Sequence, residues 1–208
     1  MAELFTSQSC SSCPAAEAYF REIAARDGVV ALEWHVDYWN NLYHGAAGKW
    51  MDPFSSEENT ERQRAYNMAL RGRASVYTPQ IVINGASETV GSRRADVARL
   101  LDNGKDKLKA VKASRAGDEV RFDLPPDADG KTLWLVTFSK SATTRVGGGE
   151  NKGLTLEEAH IVQTANQLRR SDIRNGAIFA AAPKSGSGCA LLIQDRKTQA
   201  MVGAAYCP

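Results

Sequence analysis

Apolar and polar positions follow two rhythms along this chain, and the change between them falls just after Asp102-Asn103-Gly104. Before that point apolar runs of strand length alternate with helical patterns. The apolar start, through Leu4 and Phe5, predicts a short buried strand, and Pro14 to Arg26 predicts a helix. Val29 to Val36 is too continuously apolar to have a face in water, which marks a central parallel strand. The pattern then breaks. Tyr38, Trp39, Tyr43, Trp50 and Phe54 lie among Asn, Gly and Pro, and a helix follows from Ser55 or Ser56 to Leu70, with N-cap chemistry at its start. Residues 38–72 therefore read as a helical insertion. Gln80 to Ile83, the turn Asn84-Gly85 and a partner around Ser87 to Val90 predict a hairpin, and a helix from Ser92 or Arg93 to Leu101 closes the unit.

The second rhythm is all-β. Short apolar runs cover 107–114, 119–124, 132–139, 143–146, 159–168, 177–181, 190–194 and 200–206, separated by turn residues. Alternation is clear in Val120-Arg121-Phe122-Asp123-Leu124 and again from His160 to Leu168, where Ile161 and Val162 spoil the start. About eight strands in this half argue for a small sandwich packed on the first unit.

Composition narrows the classes of function. The chain has 208 residues, 43% of them apolar, enough for a real core. Its 26 basic and 24 acidic residues nearly balance, and Arg93-Arg94 and Arg169-Arg170 are isolated pairs, so a nucleic-acid surface is disfavoured. No apolar stretch approaches the ~18 residues a spanning helix needs, which predicts a soluble protein without a membrane span. Met1-Ala2 runs straight into the first strand, as in a mature chain whose export signal has been removed and a start Met supplied. The expectation is a periplasmic or secreted protein.

The cysteines carry the chemistry. Cys10 and Cys13 lie where the first strand hands over to a helix N-terminus. Unpaired N–H groups and the helix dipole favour thiolate there, lowering the pKa of the first thiol from its free value of about 8.5. A thiolate with a second thiol beside it can attack a disulfide, form a mixed disulfide and resolve it. Cys10, the more exposed by this reading, is the expected nucleophile and Cys13 the resolving thiol. The same spacing also suits a structural disulfide or half of a zinc knuckle. Cys189 and Cys207 face each other across a predicted hairpin that turns within Asp195 to Gln199, a geometry that suits a structural bridge.

The order strand, Cys-x-x-Cys, helix, strand, helical insertion, Pro-led strand, Asn-Gly hairpin, helix resembles a thioredoxin fold. In that fold the residues matching Thr78-Pro79 hold a cis peptide beside the cysteine pair, which implies that Thr78 and Pro79 hold the partner while its sulfur reaches Cys10. A closer match covers most of the chain. The segments LFTSQSCSSCP, WHVDYWNN, DPFSSEENTERQRAY, SVYTPQIVING and GGGENKGLTLEEAHIV resemble a bacterial thioredoxin-like family, domain-of-unknown-function family 1223. Its members mostly carry export signals, so the resemblance implies fold and compartment more than a reaction. It also implies that the β-rich half belongs with the first. Ser9 is a departure, standing where the family pattern has Gly before the first Cys.

Asp37, Tyr38 and Trp39 follow the C-terminal end of the second strand, the edge where ligands bind in open α/β sheets. Asp37 is a candidate acceptor of the Cys13 proton, or else a turn residue capping the loop. Tyr38 and Trp39 either line a partner groove or cover the core. A metal site is the competing class: Cys10 and Cys13 with His35 or His160 would suit copper or zinc. The scattered histidines and the lack of a second Cys-x-x-Cys count against it. A third reading is a binding module with inert bridges, the Gly147-Gly148-Gly149 loop serving as recognition edge. No Lys-Ser/Thr follows those glycines, so they are not a phosphate loop; a loop leaning over the cysteine site is more credible. The expected whole is α/β: a thioredoxin-like domain over 1–105 and a β-sandwich-like domain over 106–208. Its expected activity is thiol–disulfide exchange with protein or small-molecule thiols and disulfides, without an organic cofactor.

Overall fold

In the computed structural model, which describes residues 1–105 and 107–208, the first half forms β1 (Ala2–Thr6), α1 (Pro14–Ala24), β2 (Ala31–His35), α2 (Glu57–Arg71), β3 (Gln80–Ile83), β4 (Ser87–Val90) and α3 (Arg94–Gly104). The second half adds β5 (Lys112–Ala116), β6 (Glu119–Asp123), β7 (Thr132–Arg145), β8 (Thr155–Gln167), β9 (Ile173–Arg174), β10 (Ala177–Ala181), β11 (Ser187–Gln194) and β12 (Met201–Tyr206).

Strand pleating sends successive side chains to opposite faces, and here both faces of the central strands are covered. Leu4, Ala31, Ile81 and Ile83 pack with Ala16, Tyr19, Phe20 and Ile23 of α1 on one face. Phe5, Leu32, Trp34 and Val82 pack with Tyr66 of α2 on the other. The α1 residues recur at one-turn spacing, which is why this segment is a helix with one face to the sheet, and Pro14 opens it where a missing N–H costs nothing. α2 is capped by Ser56, whose hydroxyl accepts from the Asn59 N–H at 3.2 Å, and ends at Gly72 with φ +68°.

One sheet of eight strands, ordered β12-β11-β7-β8-β2-β1-β3-β4, runs through the molecule, and a second of four is ordered β5-β6-β10-β9. β1 is parallel to β2 and antiparallel to β3. The sheet does not stop at the domain boundary expected at 105/106, which touches Asp106, outside the described residues. β7, β8, β11 and β12, expected in a separate sandwich, extend the sheet of the first half through the pairing of β8 with β2. A sandwich is nonetheless present, with the far end of the main sheet as one of its layers. Val120, Phe122 and Ile178 of the small sheet pack on Leu133, Leu191 and Ile193 of the large one. The correction has a physical cause: local pattern sets which residues are strands, whereas long-range pairing sets which strands are neighbours.

Two strand expectations differ in detail. Runs 132–139 and 143–146 are one strand, β7, because Ser141 to Thr143 keep pairing with β8. The spoiled alternation in β8 is a bulge: Thr137 pairs with Thr164 and Phe138 with Val162, leaving Gln163 as an extra residue that reverses the in-out order.

Candidate active site at the two-cysteine turn

β1 ends at Thr6, Ser7 to Ser12 form a tight turn, and Cys13 is the residue before α1. The Cys13 N–H donates to the Cys10 carbonyl at 3.1 Å, so the two thiols stand on adjacent corners of one turn. Both cysteines are free of disulfide and buried. Cys10 is 1% exposed and Cys13 0%, so the thiol expected to be the more exposed of the two is itself buried.

The cover comes from the second half of the chain. Asn151 Nδ2 donates to the carbonyls of Gln8 at 3.0 Å and Cys10 at 2.8 Å, and the Ser11 N–H donates to Glu150 Oε2 at 2.8 Å. The glycines before them are required by close approach. A Cβ at Gly147 would strike the Trp50 ring, at Gly148 the Lys49 carbonyl, and at Gly149 the Ser9 side chain. The loop expected to lean over the cysteines therefore does so, seated on Ser9. Ser9 is fully buried there.

The two thiols are electrostatically opposite. Cys10 is lowered from 9.0 to about 6, chiefly by the hydrogen bond from the Cys13 thiol; burial opposes the shift, and the hydroxyls of Ser12 and Thr78 add to it. Ser12 Oγ lies 3.2 Å from the Cys10 sulfur. Cys13 is pushed well above its ordinary range by burial and by Cys10 beside it. The Cys13 thiol first, and the Ser12 and Thr78 hydroxyls after it, thus supply stabilisation that the sequence assigned to the helix terminus.

The Thr78–Pro79 peptide is cis, and the Thr78 hydroxyl, turned to Cys10, accepts from Trp39 Nε1 at 2.8 Å. Tyr38 donates to Gln63 Oε1 at 3.3 Å, and its phenol is raised by burial and, in smaller part, by both cysteines. The polar face of α2 holds this region in place. Gln63 Nε2 donates to the Tyr77 carbonyl and Asn67 Nδ2 to that of Ser75. Cys10, Cys13, Tyr38, Trp39, Thr78 and Pro79 are thus one neighbourhood.

Asp37 makes the contacts of a loop-capping residue. Its carboxylate accepts from Thr60 Oγ1 at 2.6 Å and its N–H donates to the same hydroxyl, tying the loop to α2. The carboxylate whose charge bears on Cys13 is instead Glu17, one helical turn further along α1. Thr6 lies between them: its hydroxyl donates to Glu17 Oε1 at 2.7 Å and also bonds Cys13. Burial first, then Glu33, raise Glu17 to about 8. The signal was present in the sequence as Cys13-x-x-x-Glu17, two side chains on one helix face.

A buried polar layer continues below the turn. Gln8 donates through Nε2 to Glu158 at 2.7 Å, accepts from Trp50 Nε1 at 2.8 Å, and its N–H donates to Asp52 at 2.9 Å. Asp52 holds His35 Nδ1 at 2.8 Å. Burial works against the His35 charge, yet Asp52 and Glu33 hold its pKa well above the ordinary value. Burial, with Glu33 and Asp52 nearby, raises Glu158 to about 7. His35 does not join the cysteines as a ligand. Among the described residues, the His, Cys, Asp and Glu side chains that converge as a ligand set are Glu33, His35 and Glu158. His160 faces the Ala31 carbonyl and the Tyr206 hydroxyl instead. Among the described residues no histidine joins Cys10 and Cys13 in a common ligand set. Cys189 and Cys207 form the expected disulfide, their Cα atoms 5.2 Å apart across the β11–β12 hairpin.

The family model for proteins of unknown function designated DUF1223 matches residues 1–194. The chain belongs to the DUF1223 family. A crystal structure of protein AGR_C_4864 from Agrobacterium tumefaciens is similar to this DUF1223 chain, with 33% identity and a TM-score of 0.75 over 99% of this chain and 92% of that one. HBP35 of Porphyromonas gingivalis is similar in fold alone, at 13% identity and a TM-score of 0.57 over 99% of this chain and 73% of that one. No curated protein matches the chain. Among the described residues no helix is long and apolar enough to cross a membrane.

Proposed function

We propose that the protein is a thiol–disulfide oxidoreductase on a thioredoxin-like framework, acting outside the cytosol. The observation that carries the proposal is the opposed tuning of two adjacent free thiols beside the cis Thr78–Pro79 bond: Cys10 lowered to about 6, Cys13 raised. The framework is supported by the central order β2-β1-β3-β4 with α1 between the parallel strands β1 and β2. The Cys189–Cys207 bridge supports an oxidising compartment.

In the reducing direction the Cys10 thiolate attacks a partner disulfide, forming a mixed disulfide and releasing one partner sulfur as thiolate. Cys13 then loses its proton toward Thr6 and Glu17 and attacks the Cys10 sulfur. This closes the Cys10–Cys13 bond, and the partner leaves with both electrons on its second sulfur. The oxidising direction is the reverse. Thr78 presents a backbone N–H and C=O that make no backbone hydrogen bond among the described residues, a suitable edge for an extended partner segment. The loop carrying Trp39 also exposes Leu42, Tyr43 and Met51, which favours a protein partner over a small thiol.

The test is titration of the Cys10–Cys13 pair in glutathione redox buffers, with alkylation trapping free thiols. A midpoint well above about −300 mV with rapid exchange supports the proposal, whereas a pair that does not exchange leaves a binding module with an inert bridge.

A further inference from the structure

Glu33 and His35 lie two residues apart on β2, so pleating puts both on one face, and Glu158 joins them from β8. One donor atom from each lies within 4.8 Å of the others. His35 Nε2 is 3.2 Å from Glu33 Oε1 and 3.9 Å from Glu158 Oε1, with all three side chains 0% exposed. Yet Glu33 Oε1 and His35 Nε2 have no hydrogen-bond partner. The two atoms are thus buried, close together and without a hydrogen-bond partner, as two ligands of one ion would be.

The surroundings prepare the same atoms. His35 Nδ1 lies 2.8 Å from Asp52 Oδ2, and Asp52 in turn accepts from the backbone N–H groups of Gln8 and Phe54. A carboxylate on the far nitrogen orients a histidine ligand and leaves the Nε2 lone pair for a metal. Glu33 Oε2 is held by the Ala159 N–H at 3.2 Å, and Glu158 by Gln8 and Thr144, so each carboxylate is anchored as well. Two buried carboxylates facing one imidazole nitrogen are a donor set that a divalent cation would suit, the ion taking the place of the proton on His35 Nε2.

We propose that Glu33, His35 and Glu158 bind one divalent first-row ion, of the zinc or manganese kind, between β2 and β8. One imidazole with two carboxylates and no thiolate suits these ions rather than copper(I). No thiol belongs to the ligand set, and Gln8 bonds Glu158 on this side while its carbonyl accepts from the Asn151 that also bonds Cys10. The site joins the strands through which the halves of the main sheet meet.

The experiment uses the full chain, unfolded with chelator, refolded metal-free, and titrated with ZnCl₂ or MnCl₂ alone, with bound metal counted by elemental analysis. About one equivalent is expected in the wild type and in the Cys10→Ser/Cys13→Ser double variant, while Glu158→Gln and Asp52→Asn each lose roughly tenfold or more in affinity. Should those variants not fold, Co²⁺ loading of the wild type decides: visible d–d bands without intense thiolate-to-metal absorption support the site. Failure of the wild type to bind either ion, binding lost with the two cysteines, or strong thiolate absorption would overturn it.

Discussion

Cys10 and Cys13 are chemically unequal for reasons within one turn of each. With Cys10 lowered to about 6, iodoacetamide labelling of the reduced protein should rise through a midpoint near that pH and vanish in Cys10→Ser. Losing the Ser12 or Thr78 hydroxyl, as in Ser12→Ala or Thr78→Val, should move the midpoint up by about one to two units, because a hydrogen bond to a charged group contributes ~1.5–3 kcal/mol. A depressed folded pKa means that the thiolate's contribution to reduced-state stability is complete above the ordinary thiol range and fades as pH falls through about 6. At pH 7 the shift from 9.0 favours the dithiol over the disulfide by about 1.4 kcal/mol, on the order of 30 mV toward a stronger oxidant. In the proposed cycle Glu17 serves the later step, through Thr6. Glu17→Gln should leave the rate of Cys10 alkylation nearly unchanged while slowing closure of the Cys10–Cys13 bond about a hundredfold, read by stopped-flow on a mixed disulfide. A structural role alone would move both rates together.

The 147–151 loop and α2 hold the cysteine turn from opposite ends of the sequence. Asn151→Ala removes both side-chain donations to the Gln8 and Cys10 carbonyls and leaves them buried without those donors. About 2 kcal/mol should be lost in urea unfolding, and Cys10 should react faster with alkylating agents. Elements of this kind were legible in sequence where one period ran unbroken: β1, α1, β2 and the β3–β4 hairpin, with the place of Cys10 and Cys13 at the strand-to-helix turn and the Cys189–Cys207 bridge. The polar face of α2 was not, because Asn59, Gln63 and Asn67 read as solvent-facing until the loop they secure is in place. Glu33 and His35 interrupted an apolar strand at i and i+2, a signal of a shared polar face that apolar continuity concealed. Asp37 was favoured by nearness along the chain to the strand end, whereas Glu17 is nearer to Cys13 in effect.

At the scale of the molecule, β11 belongs to two cores at once: Ala190 and Leu192 pack in one, Leu191 and Ile193 in the other. Unfolding should therefore be a single transition, with circular dichroism and Trp fluorescence coincident. Phe122→Ala, although in the small sheet, should cost about 3–5 kcal/mol and shift both probes equally. Removing the Cys189–Cys207 bridge, which spans 18 residues, should cost about 3 kcal/mol by the same measurement. Pairing of β8 with β2 is what no local pattern announced, and it decides what can be excised. A fragment ending at residue 105 would keep both thiols, the cis bond and Glu17, yet β2 would become a bare sheet edge. The roof over Cys10 would be gone, since Glu150 and Asn151 supply it. During synthesis the Cys10 sulfur consequently stays open to solvent until the β7–β8 hairpin that carries this roof has emerged, long after the cysteine turn itself.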